Sequence, residues 1–144
     1  MTGSDPFDLE RFVRAQDEGG TYEQALAELH RGRKTSHWMW FVFPQIAGLG
    51  SSPMARRYAI ASLDEAKEYL EHPVLGPRII EAAQATMAGD ERRAEAILGS
   101  IDAIKLRSSM TLFHRADPQE PVFLQVLDRF FARRPDPATD ELIE

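Results

Sequence analysis

Lys105, Ser108 and Ser109 lie within about one helical turn of each other, and a lysine beside a serine is a pairing that can activate a hydroxyl as a nucleophile. Serine–lysine nucleophile pairs place the serine first, however, and no oxyanion loop is evident here. The better functional reading is that Lys105 and the two hydroxyls bind an anionic ligand. The plainer reading is a lysine laid along the surface and serines that fit a close helix crossing. The four histidines, His30, His37, His72 and His114, include no i, i+4 pair, and no carboxylate cluster completes a metal set. Neither a metal nor a cofactor is therefore implied. His72 precedes Pro73 at a helix break and reads as a local cap.

The second chemical feature is the run from Ser36 to Gln45, Ser-His-Trp-Met-Trp-Phe-Val-Phe-Pro-Gln, which holds both tryptophans of the chain. Read as a helix or as a strand it is apolar on more than one face, so it is expected to be central and covered on most sides. As pure packing it is the middle of the core. As a site, the indoles of Trp38 and Trp40, with His37 and Gln45, border a ligand pocket. Arg31, Arg33 and Lys34 precede the run, and Gly48-Leu49-Gly50-Ser51-Ser52-Pro53 follows it. A glycine-serine loop entering a helix offers bare N–H groups to an anion. It is neither a P-loop nor a dinucleotide fingerprint, for the lysine spacing of the one and the acidic residue of the other are missing. Its plainer reading is a capped helix start beside a solvated basic turn.

These residues must be positioned by helices. Asp5-Pro6 reads as a cap with proline in the first turn, leading to Leu9, Phe12, Val13 and Gln16 on one face, with Gly19-Gly20 as the stop. Thr21 to Gln24 fits a capping box, followed by an apolar stripe of Tyr22, Ala25, Leu26 and Leu29 and closed by Gly32. Ser52-Pro53 and Ser62 to Glu65 open two further helices. Pro77 to Met87, a short helix capped by Asp90 and running to Leu98, a helix capped by Ser100 and broken at Asp117-Pro118, and Val122 to Phe131 supply the rest. The Ser100 helix carries Ala103, Leu106, Met110 and Phe113 as its apolar stripe. The expectation is an all-α fold of about seven to eight short helices in one domain over 1–144, with an ordered core at 6–134 and a last short helix or frayed tail at 135–144.

A chain of 144 residues is long enough to bury its own core. Its 43% apolar and 28% charged content is wrong for disorder. The absence of cysteine removes disulfides, thiolate metal sites and a thiol nucleophile. A net charge of -6 makes nucleic acid or an anionic membrane a poor expectation as partner. The start, Met1 to Pro6, lacks the pattern of a signal peptide, and no apolar run spans a bilayer, so a cytoplasmic location is expected.

Across nearly its whole length the chain resembles an uncharacterised family, domain of unknown function 1810. The resemblance rests on Asp8-Leu9 with Arg11-Phe12-Val13, Tyr22 to Leu26, Gly32-Arg33-Lys34, Ser36 to Phe41 with Phe43-Pro44-Gln45, Gly48-Leu49-Gly50, His72 to Gly76 and Lys105 to Phe113. It implies a compact all-helical domain and carries no established activity. Members often bear an automatic label of calpastatin, yet calpastatins are disordered chains that fold on their target, whereas this chain has a core-forming pattern throughout. A fainter resemblance, over Ser51 to Ala55 and the helical stretch to Thr86, is to the NADAR group of helical proteins linked to NAD and ADP-ribose chemistry. The later tryptophan-glycine and asparagine-containing signature of that group is missing here, and no catalytic residue is carried over.

Two functions of different class follow. In the first, a small anionic, nucleotide-like metabolite is held by Lys34 and Lys105, stacked by Trp38, Trp40 or His37, and hydrogen-bonded by Gln45, Ser108 and Ser109; its catalytic version is an enzyme of NAD/ADP-ribose-type metabolism. In the second, the chain is a non-catalytic protein-interaction module with no small-molecule site. Asp102, one turn before Lys105, is the rival partner for that lysine's charge.

Overall fold

The computed structural model describes residues 5–143. Met1 to Ser4 of the polar start, and Glu144 of the tail, lie outside them. The elements run α1 (Glu10–Asp17), a 3-10 turn (Glu18–Gly20), α2 (Thr21–Arg31), α3 (Met39–Val42), α4 (Pro53–Arg57), α5 (Leu63–Glu71), α6 (Leu75–Thr86), α7 (Ala94–Leu98), α8 (Ser100–Ala116), α9 (Pro121–Phe131) and α10 (Pro137–Ile143). The fold is all-α. Among the described residues no strand forms, and the extended pairing is an isolated parallel bridge between Ile46 and Ile60. No helix there is long and apolar enough to cross a membrane.

Helix α8 is the axis. It packs against α5, α7, α9 and α10, and the stripe of Ala103, Leu106, Met110 and Phe113 is buried as its spacing requires. Aromatic rings link it to the first helices. Phe113 stands 5.1 Å from Tyr69 and 5.9 Å from Phe123, Tyr69 stands 5.1 Å from Phe12, and Tyr58 bridges Phe12 and Phe41, all within the range where tilted and edge-on rings attract. Burial pushes the Tyr69 hydroxyl above its usual range, so it stays a neutral partner for the Gln16 amide that donates to it.

Local chemistry sets several helix ends. Ser52 Oγ accepts from the Ala55 N–H at 3.1 Å, and Ser62 Oγ from the Glu65 N–H at 3.2 Å. His72 Nδ1 accepts from the Val74 and Leu75 N–H groups, the local cap its place before Pro73 suggests. Four expected caps differ. Asp5 does not open α1, which starts at Glu10; its carboxylate accepts instead from the Leu9 and Glu10 N–H groups. Thr21 is already inside α2 and its hydroxyl donates back to the Glu18 carbonyl, because Gly20, with φ of +70°, takes the boundary. Ser100 is likewise inside α8, and Gly99 is its cap. Helix α7 starts at Ala94, not Asp90, and the turn before it is held by Glu91 accepting from the Arg92 and Arg93 N–H groups. Gly99 has φ +88° and ψ 161°, a conformation open essentially to glycine alone. It lets α8 leave α7 at once, bringing the first turn of α8 beside the aromatic run.

Candidate ligand pocket

The pocket begins with a carboxylate. Glu28, in the last turns of α2, is fully buried. Its Oε1 accepts from the Thr35 N–H (2.7 Å), the Ser36 N–H (3.0 Å) and the Trp38 indole (2.9 Å); its Oε2 accepts from the Ser36 hydroxyl (2.5 Å) and the Gln24 amide (2.9 Å). Burial alone would push this carboxyl up. The bonds from Ser36, Gln24, Thr35 and Trp38 outweigh that and hold it well below the usual carboxylate range. The segment after α2 is thus folded onto one side chain. A bond from the Lys34 N–H to the Ile97 carbonyl (2.8 Å) pins the same segment to α7.

With residues 34–40 fixed and α8 started at Gly99, the two enclose a pocket of about 350 Å³. Lys34, His37, Trp38 and Trp40 line one wall; Ile101, Asp102 and Lys105 line the other. Asp102 bridges the lysines, Oδ2 lying 2.9 Å from Lys34 Nζ and Oδ1 lying 3.4 Å from Lys105 Nζ. Each ammonium also sits over an indole, Lys34 5.2 Å from the Trp38 ring centroid and Lys105 5.4 Å from that of Trp40, within reach of the attraction of a cation for an aromatic face. Two cations and one anion leave one excess positive charge in a chain whose net charge is -6.

Lys34, His37, Trp38, Trp40 and Lys105 are therefore neighbours. Trp38 is fully buried, whereas Trp40 is half-buried and forms wall rather than core. The remaining candidates fall elsewhere. Gln45 borders a narrow adjoining cleft with Gly48 and Gly50, on the far side of Trp40 and Lys105, and its backbone carbonyl accepts from the Ile60 N–H. The glycine-serine loop is separated in this way from Lys34. Ser108 does not reach the pocket: it points toward α10 and donates to Asp136 Oδ2 at 2.7 Å. Ser109, one turn beyond Lys105, is buried with no hydrogen-bond partner for its hydroxyl among the described residues. Among those residues, no group of three His, Asp or Glu side chains could hold a metal ion.

Residue type and spacing alone do not mark Glu28 as an organiser. The available signal was its position three residues after Ala25 and directly before Leu29, on the buried arc of α2.

An all-helical domain with a lysine-flanked aromatic pocket places the chain in a structural class without naming a reaction. Its family is definite. Residues 6–143 match the family described as Protein of unknown function (DUF1810), and the chain belongs to it. The crystal structure of a conserved hypothetical protein from Mycobacterium tuberculosis is similar, with 48% sequence identity and a TM-score of 0.92, covering 96% of this chain and 98% of that one. No curated protein matches. None of these findings supports the fainter likeness to the NADAR group.

The two lysines should differ in stability. Lys34 is 9% exposed and makes the shorter contact, so Lys34→Met, which strands Asp102 on that side, is expected to cost about 2 kcal/mol, below the range for a fully buried pair because Asp102 keeps some solvent. Lys105→Met leaves Asp102 paired with Lys34 and should cost less than about 1 kcal/mol in urea unfolding. Glu28 supplies a pH signature. Its folded pKa lies below the unfolded value of 4.5, so its contribution is complete above that pH and is lost as the pH falls. The loss of stability below about pH 5 should be steeper in the wild-type chain than in Glu28→Gln, in urea titrations compared across pH.

Proposed function

We propose that the pocket between residues 34–40 and the first turns of α8 binds a small organic anion, a nucleotide-like metabolite being the type that fits its chemistry. The observation that carries this reading is the Lys34–Asp102–Lys105 bridge set against two indoles at the mouth of an open cavity. Each ammonium has three donors, and only part of that capacity is used by Asp102. A carboxylate or phosphate can therefore be held without displacing the internal anion. Trp40, half-buried on the pocket wall, offers its ring to a planar group. The first N–H groups of α8, which have no side-chain cap, add partial positive charge to the same wall. Asp102 is itself an acceptor for ligand hydroxyls. In a catalytic version of this reading, Asp102 and the exposed His37 are the groups able to accept a proton.

A second reading is a non-catalytic protein-interaction module. It draws on Ile101 and Ile104, which are 70% and 66% exposed on α8, more than large apolar side chains usually are on a surface without a partner.

The ligand reading is tested by thermal shift and calorimetry with inorganic phosphate, adenosine monophosphate, NAD and ADP-ribose. At least one should raise the melting temperature of the wild-type chain in a concentration-dependent way, and Lys105→Met should lose that effect while keeping its own stability. Identical shifts in wild type and Lys105→Met across the panel would count against the pocket.

A further inference from the structure

We infer that the ligand of this pocket carries an apolar body that lies along Ile101 and Ile104, so that the site takes an amphiphilic anion, an alkyl or aryl phosphate or carboxylate, in preference to a hydroxyl-rich one. The inference rests on the small-anion part of the reading above and narrows it, setting an amphiphilic anion in place of the nucleotide-like one.

The observation is a juxtaposition on one helix. Asp102 and Lys105, three residues apart, form the charged row of the first two turns of α8. Ile101 and Ile104, also three residues apart, form the row beside it. Ile101 belongs to the pocket lining, and Ile104, one turn on, lies outside that lining. These two are the most exposed large apolar side chains among the described residues; Leu142 follows at 44%. The rest of α8 buries its apolar residues normally, with Ala103, Leu106, Met110 and Phe113 all inside. The exposure is therefore confined to the part of the helix that borders the cations.

Charge and apolar surface meet in one pocket. Lys34, Lys105 and Trp40 share its lining with Ile101, which is 70% exposed, and Ile104 lies beside Ile101 on the same helix. A ligand that places its anionic group on the lysines and extends along α8 meets Ile101 and then Ile104. A sugar or polyol extension would lay hydroxyls against isoleucine side chains that offer them no partner, whereas an alkyl or aryl group removes apolar surface from water on both sides. The excess charge of the site suits a small headgroup of one or two negative charges.

The experiment is a calorimetric comparison of methyl phosphate and hexyl phosphate, kept below aggregation, against the wild-type chain and the Ile101→Asn/Ile104→Asn double variant. Both replaced side chains are mostly exposed, and circular dichroism and melting temperature verify that the variant folds. Hexyl phosphate should bind the wild type about tenfold more tightly than methyl phosphate, because part of each added methylene is covered. In the double variant the ratio of hexyl to methyl phosphate affinity should fall to about one, whatever change Ile101→Asn on the pocket wall makes to methyl phosphate binding itself. Equal affinities of the two phosphates for the wild type, or a gain retained in the double variant, would overturn the inference while leaving the anion site standing. Failure of both phosphates to bind would overturn the anion site and the inference together. A wild-type dimer in sedimentation that the double variant dissolves would assign the two isoleucines to a second copy of the chain, and would also overturn the inference.

Discussion

The pocket depends on the burial of one carboxylate. Glu28 is surrounded by five donors, and four of them belong to the segment that follows its own helix or to the indole that segment carries. A buried carboxylate is costly unless its lone pairs are filled, and here they are filled by residues that would otherwise be a loop with no structure of its own. The energetic demand of Glu28 therefore becomes a geometric constraint on Thr35, Ser36 and Trp38. Lys34 lies immediately before these and is tied to α7 by its backbone N–H. Met39 begins α3 directly after Trp38, so the position of Trp40 follows from the same constraint.

The opposite wall is set by backbone conformation. Gly99 ends α7 and begins α8 with no linker between them, which brings Asp102 within reach of Lys34. The charge bridge then joins the two walls. It differs from a purely structural ion pair in its surroundings: both ammonium groups rest on indole faces, and the cavity is open beside them. Aromatic walls of low polarity strengthen the field of the remaining positive charge, and the proposed anion site rests on that field.

The helical architecture was legible in the sequence because its signals are local. The stripe on α8, the serines before Pro53 and Leu63, Gly32 after α2 and His72 before Pro73 each act on the backbone within a few residues. Thr21 and Ser100 were misplaced for a physical reason: a glycine in positive φ directly precedes each, and it can end one helix and begin the next without a side-chain cap. In the pocket, Lys34, His37, Trp38, Trp40 and Lys105 could be singled out by residue type, but their proximity depends on how α8 crosses the 34–40 segment. Ser108 shows the limit. It is three residues from Lys105, yet its hydroxyl meets Asp136, nearly thirty residues further along the chain. The two tryptophans, adjacent but for Met39, meet different environments because residues two apart at a helical turn lie on nearly opposite sides of it. Glu28 was overlooked because a glutamate in an amphipathic helix ordinarily faces water, and nothing local reveals five donors arriving from the next segment.

The central claim is that Glu28 holds residues 35–38 and so builds one wall of the pocket, and hydrogen exchange monitored by NMR tests it most directly. The Thr35 and Ser36 amides and the Trp38 indole N–H should exchange slowly in the wild-type chain. In Glu28→Gln, where one oxygen is replaced by a donor, they should exchange at least tenfold faster relative to amides in α6 and α9, whose protection persists. Equal protection of these three groups in wild type and Glu28→Gln would contradict the claim.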